Sequence, residues 1–335
     1  MKKTEISPEE AMKQIQKIFK KRGTKALEMA RKEMLQAKIE CKEAREALTY
    51  FMTEYWHDLA RPALLSLVCE AVGGDPNSTT PIAVPMILIS GAIDIHDDII
   101  DQSKTKMGRP TVYGKFGKDI ALLVGDALFF KGFSLLQHAL NKVSTSKQAI
   151  IQDIILDAFF QLGDAEASEL PLRGQLSITS EEYLNIVRKK AADVEAYTRI
   201  SALLGCGSSE EIDALGRYGR ILGMMVILRD DWMDMTDLDE ALQRIQNESL
   251  PLPIITSLEN QKTRPLMRAI LQKNTKTKRD AKKILEIARR TGQAEHLRRM
   301  LKDLYNEAHV TIENVKKNKE YLNLLVKSII PSIED

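Results

Sequence analysis

The sequence predicts an all-α helical bundle formed by a single domain over residues 1–335. Three observations carry that expectation. Leu, Ile, Ala, Lys, Glu and Met dominate, whereas Gly (17), Pro (11) and aromatic residues (5%) are sparse, a balance that favours helix over sheet and turn. Apolar stretches of helical length are separated by short Gly-, Pro- or Ser-containing breaks, and no stretch alternates apolar and polar residues as a strand does. No shift in composition marks a boundary, and 44% hydrophobic residues suffice for one large core.

Ser7 and Pro8, with Glu9 and Glu10 in the first turn, open a helical region reaching residue 55, with an interruption expected at Arg22-Gly23-Thr24. Its charges alternate in sign and read as a solvated face. A helix over 62–72 stops at Gly73-Gly74-Asp75-Pro76-Asn77. Pro81 then opens an apolar helix ending in Asp97-Asp98-Ile99-Ile100-Asp101, followed by a polar loop over 102–117. Further helices are expected over 119–140 and 148–170, and Thr179 with Glu182 forms a capping-box pattern for one over 180–204. After a loop at 205–209, a helix over 210–233 ends in Asp230-Asp231-Trp232-Met233-Asp234. The rest is helical, with mixed-charge faces suited to packing the bundle or a second subunit.

A formal charge of +2, from 49 basic and 47 acidic residues, leaves no electrostatic footprint for nucleic acid. Cys41, Cys69 and Cys206 lack metal-site spacing and suit a reducing, cytoplasmic setting. The N-terminal stretch has no apolar signal core, and the longest apolar run, 81–93, is too short to form a transmembrane segment.

The chemistry is concentrated in the two Asp-Asp-x-x-Asp boxes. On a helix, Asp97 and Asp101 share a face one turn apart, as do Asp230 and Asp234, with Asp98 and Asp231 roughly 100° around. Like charges so placed repel unless a cation sits between them. Oxygen-only donors suit Mg²⁺, which takes one or two carboxylates and completes its shell with water and substrate phosphates. One box alone reads more readily as a solvated acidic helix end, but two of identical spacing, each ending an apolar helix, point to a clamp for a diphosphate.

The flanking residues carry a resemblance. Ile95-His96 precede the first box, and Gly108-Arg109-Pro110-Thr111 follow it. Arg61-Pro62, Gly125-Asp126 and Gly174-Gln175 fall in matching order. Over about residues 55–255 the chain resembles the trans-isoprenyl diphosphate synthases, the polyprenyl synthetase family. The resemblance implies an isoprenoid-synthase-type bundle around a central apolar cavity, a homodimer, and Mg²⁺-dependent elongation of an allylic prenyl diphosphate with isopentenyl diphosphate in isoprenoid biosynthesis. It implies that Asp97 and Asp101 hold two ions together and that Asp230, with Asp234 nearby, holds the third, while Asp98 and Asp231 hold waters or orient ligands. Lys106 replaces an Arg that grips the allylic diphosphate, keeping the charge but not the bidentate fork. Lys190 matches a diphosphate-binding Lys, although Ala191 replaces the Thr expected after it. Arg229 either senses diphosphate or neutralises its neighbours. Gly91, Ala92 and Ile93 would wall the pocket, leaving room for a geranylgeranyl-length product or longer, or would merely allow close helix packing.

The acceptor half departs from the family. The positions expected to hold isopentenyl diphosphate are Asp58, Arg61, Ser90 and Met107, and only Arg61 keeps its donor. Each lost charge-assisted bond costs ~1.5–3 kcal/mol of anion affinity. Three readings follow: a prenyltransferase with a rearranged acceptor site using Lys104, Arg109 or Lys115; a terpene-synthase-like protein that ionises an allylic diphosphate and cyclises or hydrolyses it; or a low-activity partner subunit in a heterodimer with a homologue.

Overall fold

The computed structural model describes residues 6–106 and 108–330, and these are mostly helical. In chain order they form α1 (Pro8–Leu35), α2 (Lys42–Tyr50), α3 (Ala60–Ala71), α4 (Thr80–Ile100), α5 (Val112–Phe116), α6 (Lys118–Leu140), α7 (Thr145–Glu169), α8 (Ser180–Lys190) and α9 (Ala192–Leu204). Then come α10 (Ser209–Asp234), α11 (Leu238–Asn247), α12 (Leu252–Glu259), α13 (Arg264–Leu271), α14 (Lys278–Arg290), α15 (Gln293–Thr311) and α16 (Lys319–Ile329). Between α4 and α5 lies a two-stranded antiparallel hairpin of β1 (Thr105–Lys106) and β2 (Arg109–Pro110).

Two helices carry the acidic boxes. α4 is buried along most of its length and packs against α6, α1 and α3. α10 packs against α9 and α15, and its start is fixed by a capping box between Ser208 and Glu211. Tyr183, Tyr197 and Tyr218 are among the largest fully buried side chains, and each hydroxyl is hydrogen-bonded. With its lead-in turn, α4 is long and apolar enough to cross a membrane (Pro76–Ile100), but 72% of that window is buried inside the bundle, as in a core helix.

Three expected boundaries move. α1 runs unbroken through Gly23: a Cβ there would stand 2.5 Å from the Leu59 carbonyl oxygen, so the glycine serves a close approach rather than a break. The 180–204 helix divides at Ala191, where a Cβ on Gly223 would lie 2.8 Å from the Ala191 Cβ. The Thr179–Glu182 capping box is present. The 102–117 loop contains the hairpin and α5, tied together by Thr111, whose Oγ1 donates to the Ser103 carbonyl and accepts from the Gly114 N–H.

Candidate active site

α4 and α10 deliver the two boxes to one cleft of about 690 Å³. Asp97 and Asp101 line it from α4, and Asp230 and Asp234 from α10. The middle aspartates turn inward instead: Asp98 and Asp231 are buried. Helical periodicity explains the division, since the first and last residues of a box share a face and the middle one does not.

Lys106 reaches back from the hairpin to two of the three carboxylates of its box, 2.8 Å from Asp98 Oδ1 and 3.3 Å from Asp97 Oδ2. Burial opposes its charge, yet Asp97 and Asp98 hold its pKa well above the usual lysine value. Lys190 lines the cleft and pairs with Glu166 and Glu169 of α7. Arg229 lines it too. Arg61 is engaged elsewhere, by Asp58 and Asp193, each at 3.3 Å.

Two cleft arginines carry no signal in the motif pattern. Arg173 donates to Asp101 Oδ1 and to the Ile100 carbonyl, each at 2.7 Å. Arg244 of α11 pairs with Asp231, Asp234 and Glu248. Position before Gly174-Gln175 is the only hint for Arg173, and nothing local marks Arg244.

Several carboxyls are held above their ordinary range. Burial, with Asp97 and Glu248 nearby, pushes Asp101 up to about 8. Burial likewise raises Asp98 and Asp230 to about 6 and Asp94 to about 7. The neighbouring cations, Lys106 at Asp98 and Arg173 at Asp101, offset this loss of solvation only in part. Among the described residues no three His, Cys, Asp or Glu side chains converge into a preformed cage. One or two carboxylates on each side of a cleft fit Mg²⁺, which needs substrate oxygens to complete its shell.

Elsewhere the placements are structural. His96 turns away to α6, with Nε2 3.4 Å from Asp126 and its ring against Phe129, and Gly125 leaves room for it. Ser90 Oγ is 2.6 Å from the buried Tyr197 hydroxyl. Gly91 packs on Phe51, where a Cβ would come within 2.9 Å, and Ala92 is fully buried while Ile93 is half-buried on the same helix. Glu195 pairs with Arg199 and Arg220. Of the suggested acceptor substitutes, Lys115 lies 3.7 Å over the Tyr50 ring and Arg109 donates to the Glu54 carbonyl, while Lys104 is exposed. Met107 lies outside the described residues.

The family model described as polyprenyl synthetase matches residues 42–288. A short chain isoprenyl diphosphate synthase of Methanothermobacter thermautotrophicus is 30% identical over 276 residues, covering 80% of each chain. A geranylgeranyl diphosphate synthase of Methanosarcina mazei is 34% identical over 193 residues, 57% of this chain and 58% of that one. In fold, the crystal structure of geranylgeranyl pyrophosphate synthetase from Pyrococcus horikoshii superposes with a TM-score of 0.81 at 24% identity, covering 96% of this chain and 100% of that one.

Proposed function

This chain belongs to the polyprenyl synthetase family and is a trans-prenyltransferase, and from that premise we propose that its two boxes bind an allylic prenyl diphosphate through Mg²⁺ and that isopentenyl diphosphate is the acceptor. The observation that carries the reading is the arrival of both boxes, from α4 and α10, at one cleft. Asp97 and Asp101 on one side and Asp230 on the other would hold the ions, with Asp234 beside them. Bound Mg²⁺ supplies the charge that neutralises a departing diphosphate. Lys106, Arg173, Lys190 and Arg229 add fixed positive charge around the same cleft, where it is worth more than in water. Val187, Ile227 and Met233 give the cleft its apolar lining, which helps to keep water from the allylic cation.

Ionisation followed by cyclisation or hydrolysis is the less favoured reading, because the relatives are named as synthases that build isoprenyl diphosphates. A low-activity partner subunit would have no need of two complete boxes.

Homodimer formation is part of the proposal, supported by the outer faces of α6 and α7. Leu122, Leu123, Phe130 and Phe133 on the first, and Ile150, Leu156 and Phe160 on the second, are exposed. Together they present on the order of 700 Å² of apolar surface, close to the ~800 Å² per partner of a stable interface.

The test is incubation with Mg²⁺ and geranyl, farnesyl or geranylgeranyl diphosphate, with and without isopentenyl diphosphate. Longer diphosphates formed only with isopentenyl diphosphate are expected. Hydrocarbon or alcohol released without it would replace elongation by ionise-and-quench chemistry, and absence of turnover would favour the partner-subunit reading.

A further inference from the structure

Residues 262–290, from just after α12 to the end of α14, hold eleven lysines and arginines against two acids, Asp280 and Glu286. That is a formal +9 in a chain of +2, so the rest of the protein sums to −7. The near-neutral total conceals a polarised molecule. α14 carries the centre of this charge. Ala281, Ile284, Leu285 and Ala288 turn its apolar side into the bundle, which leaves Lys278, Arg279, Lys282, Lys283, Arg289 and Arg290 exposed on the other. Asp280 is buried, where it closes the capping box with Thr277 and pairs with Lys273 at 2.5 Å, so Glu286 is the one acid on the exposed side of α14. Lys278 pairs with Asp239 of α11, and Arg289 donates to the Met235 carbonyl at 3.3 Å. Among the described residues Arg279, Lys282, Lys283 and Arg290 enter no ion pair. Lys278 with Lys282, and Arg279 with Lys283, are like charges one turn apart, a destabilising arrangement that an anionic surface relieves.

We propose that the face formed by α13 and α14 is a docking surface for an anionic lipid bilayer. α13 packs against α14 and adds exposed Arg264 and Arg268, with Leu266 between them 59% exposed. Two observations favour lipid over nucleic acid. The exposed residues of α13 and α14 include no aromatic ring on which a base could stack, whereas Leu266 offers an apolar side chain to the headgroup boundary. α14 also packs on α11, whose Glu240 and Arg244 line the active cleft, so a bilayer at this face lies next to the element that borders the site where an isoprenoid-tailed product is made. The contact is mainly electrostatic, because the bundle already uses the apolar side of α14. The inference goes beyond the diphosphate chemistry of the cleft, and its test needs no turnover.

The experiment is sedimentation of the full chain with sucrose-loaded vesicles in about 0.1 M salt, without substrate. Phosphatidylcholine vesicles containing about 30% phosphatidylglycerol should bind the protein, pure phosphatidylcholine should not, and binding should be lost as salt rises to about 0.5 M. Each cation near an anionic surface contributes about fivefold, so Lys282→Gln with Lys283→Gln should weaken partition by about twenty-five-fold. Lys13→Gln with Lys17→Gln, which removes the same charge from the exposed side of α1, should leave it within about twofold. All four lysines are exposed, so both double variants should melt with wild type, which separates lost partition from lost fold. Wild-type protein that ignores the anionic vesicles, equal partition to both vesicle types, or equal effects of the two double variants would overturn the proposal. So would a duplex DNA oligonucleotide that binds when the anionic vesicles do not, which would assign the face to nucleic acid.

Discussion

Asp231→Asn changes one oxygen to an amide nitrogen, yet the structure makes it a severe substitution. All the groups around this carboxylate are donors: the Tyr183 hydroxyl at 2.8 Å from both oxygens, Arg244 Nη2 at 2.9 Å from Oδ1, and the Leu252 N–H at 3.1 Å from Oδ2. Whichever way the amide is turned, its NH₂ faces a donor, so one hydrogen bond becomes a clash. The side chain is fully buried, so no water can take up the slack. Breaking a buried ion pair costs ~3–5 kcal/mol, and because Arg244 keeps Asp234 and Glu248 the lower end, ~3 kcal/mol, applies. With an unfolding entropy of ~2.1 cal/mol/K per residue over 335 residues, each kcal/mol lowers Tm by roughly 1.4 °C, giving a loss of about 4 °C. Thermal melting by circular dichroism in metal-free buffer reads this directly. A variant melting within about 2 °C of wild type would refute the reasoning and mean that the anchor contributes little to stability.

Raised carboxyl pKa values give a pH dependence of defined sign. Asp101 (about 8) and Asp230 (about 6) lie above their unfolded values, so their ionisation destabilises the metal-free fold progressively as pH rises toward 8, and metal must displace protons to bind. The increase in Tm on adding Mg²⁺ should therefore be larger at pH 8 than at pH 6, and an equal shift at both would count against it. Asp58→Asn keeps the oxygen that accepts from the Ala60 and Arg61 N–H groups but removes a charge from Arg61, so KM for isopentenyl diphosphate should fall by about tenfold at constant kcat; an unchanged KM would remove Arg61 from the acceptor site. Arg173→Gln should raise KM for the allylic diphosphate by about tenfold, as expected for losing one charge-assisted contact, and product assays at varied substrate would show whether it does. Phe130→Glu or Phe160→Glu should halve the mass measured by light scattering, and a mass unaffected by either would place any interface elsewhere.

What is legible in the sequence is what repeats or is local. The two boxes stand out because the same spacing ends two apolar helices, and the Thr179–Glu182 cap because its signal spans three residues. Gly23 shows the opposite: its purpose is contact with Leu59, which has no local trace, so a helix-interior glycine looks like a break. Arg173 meets Asp101 across 72 residues of sequence, and Arg244 meets Asp231 from a separate helix. Neither position follows the helical period that places a box on a cleft, so tertiary packing alone assigns them.

The cleft's cations show how the two halves of the site differ. Lys106, Arg173 and Lys190 all face the diphosphate side already paired, and each pairs with acids that line or border the same cleft. An incoming anion accompanied by divalent cations need not strip these charges from the protein: the carboxylates can turn to the new cations while the lysines and arginines turn to phosphate oxygens, an exchange of partners rather than a desolvation. Arg61 has no such arrangement. Its partners are Asp58, the acid four positions from Pro62, and Asp193 of α9, and Asp58 is further committed to the first turn of α3 through the Ala60 and Arg61 N–H groups. Binding an acceptor diphosphate at Arg61 would leave those acids uncompensated beside it. The same kind of ion pair is thus permissive in the box cleft and inhibitory at Arg61, and the difference lies in whether the displaced acid has a second cation to meet.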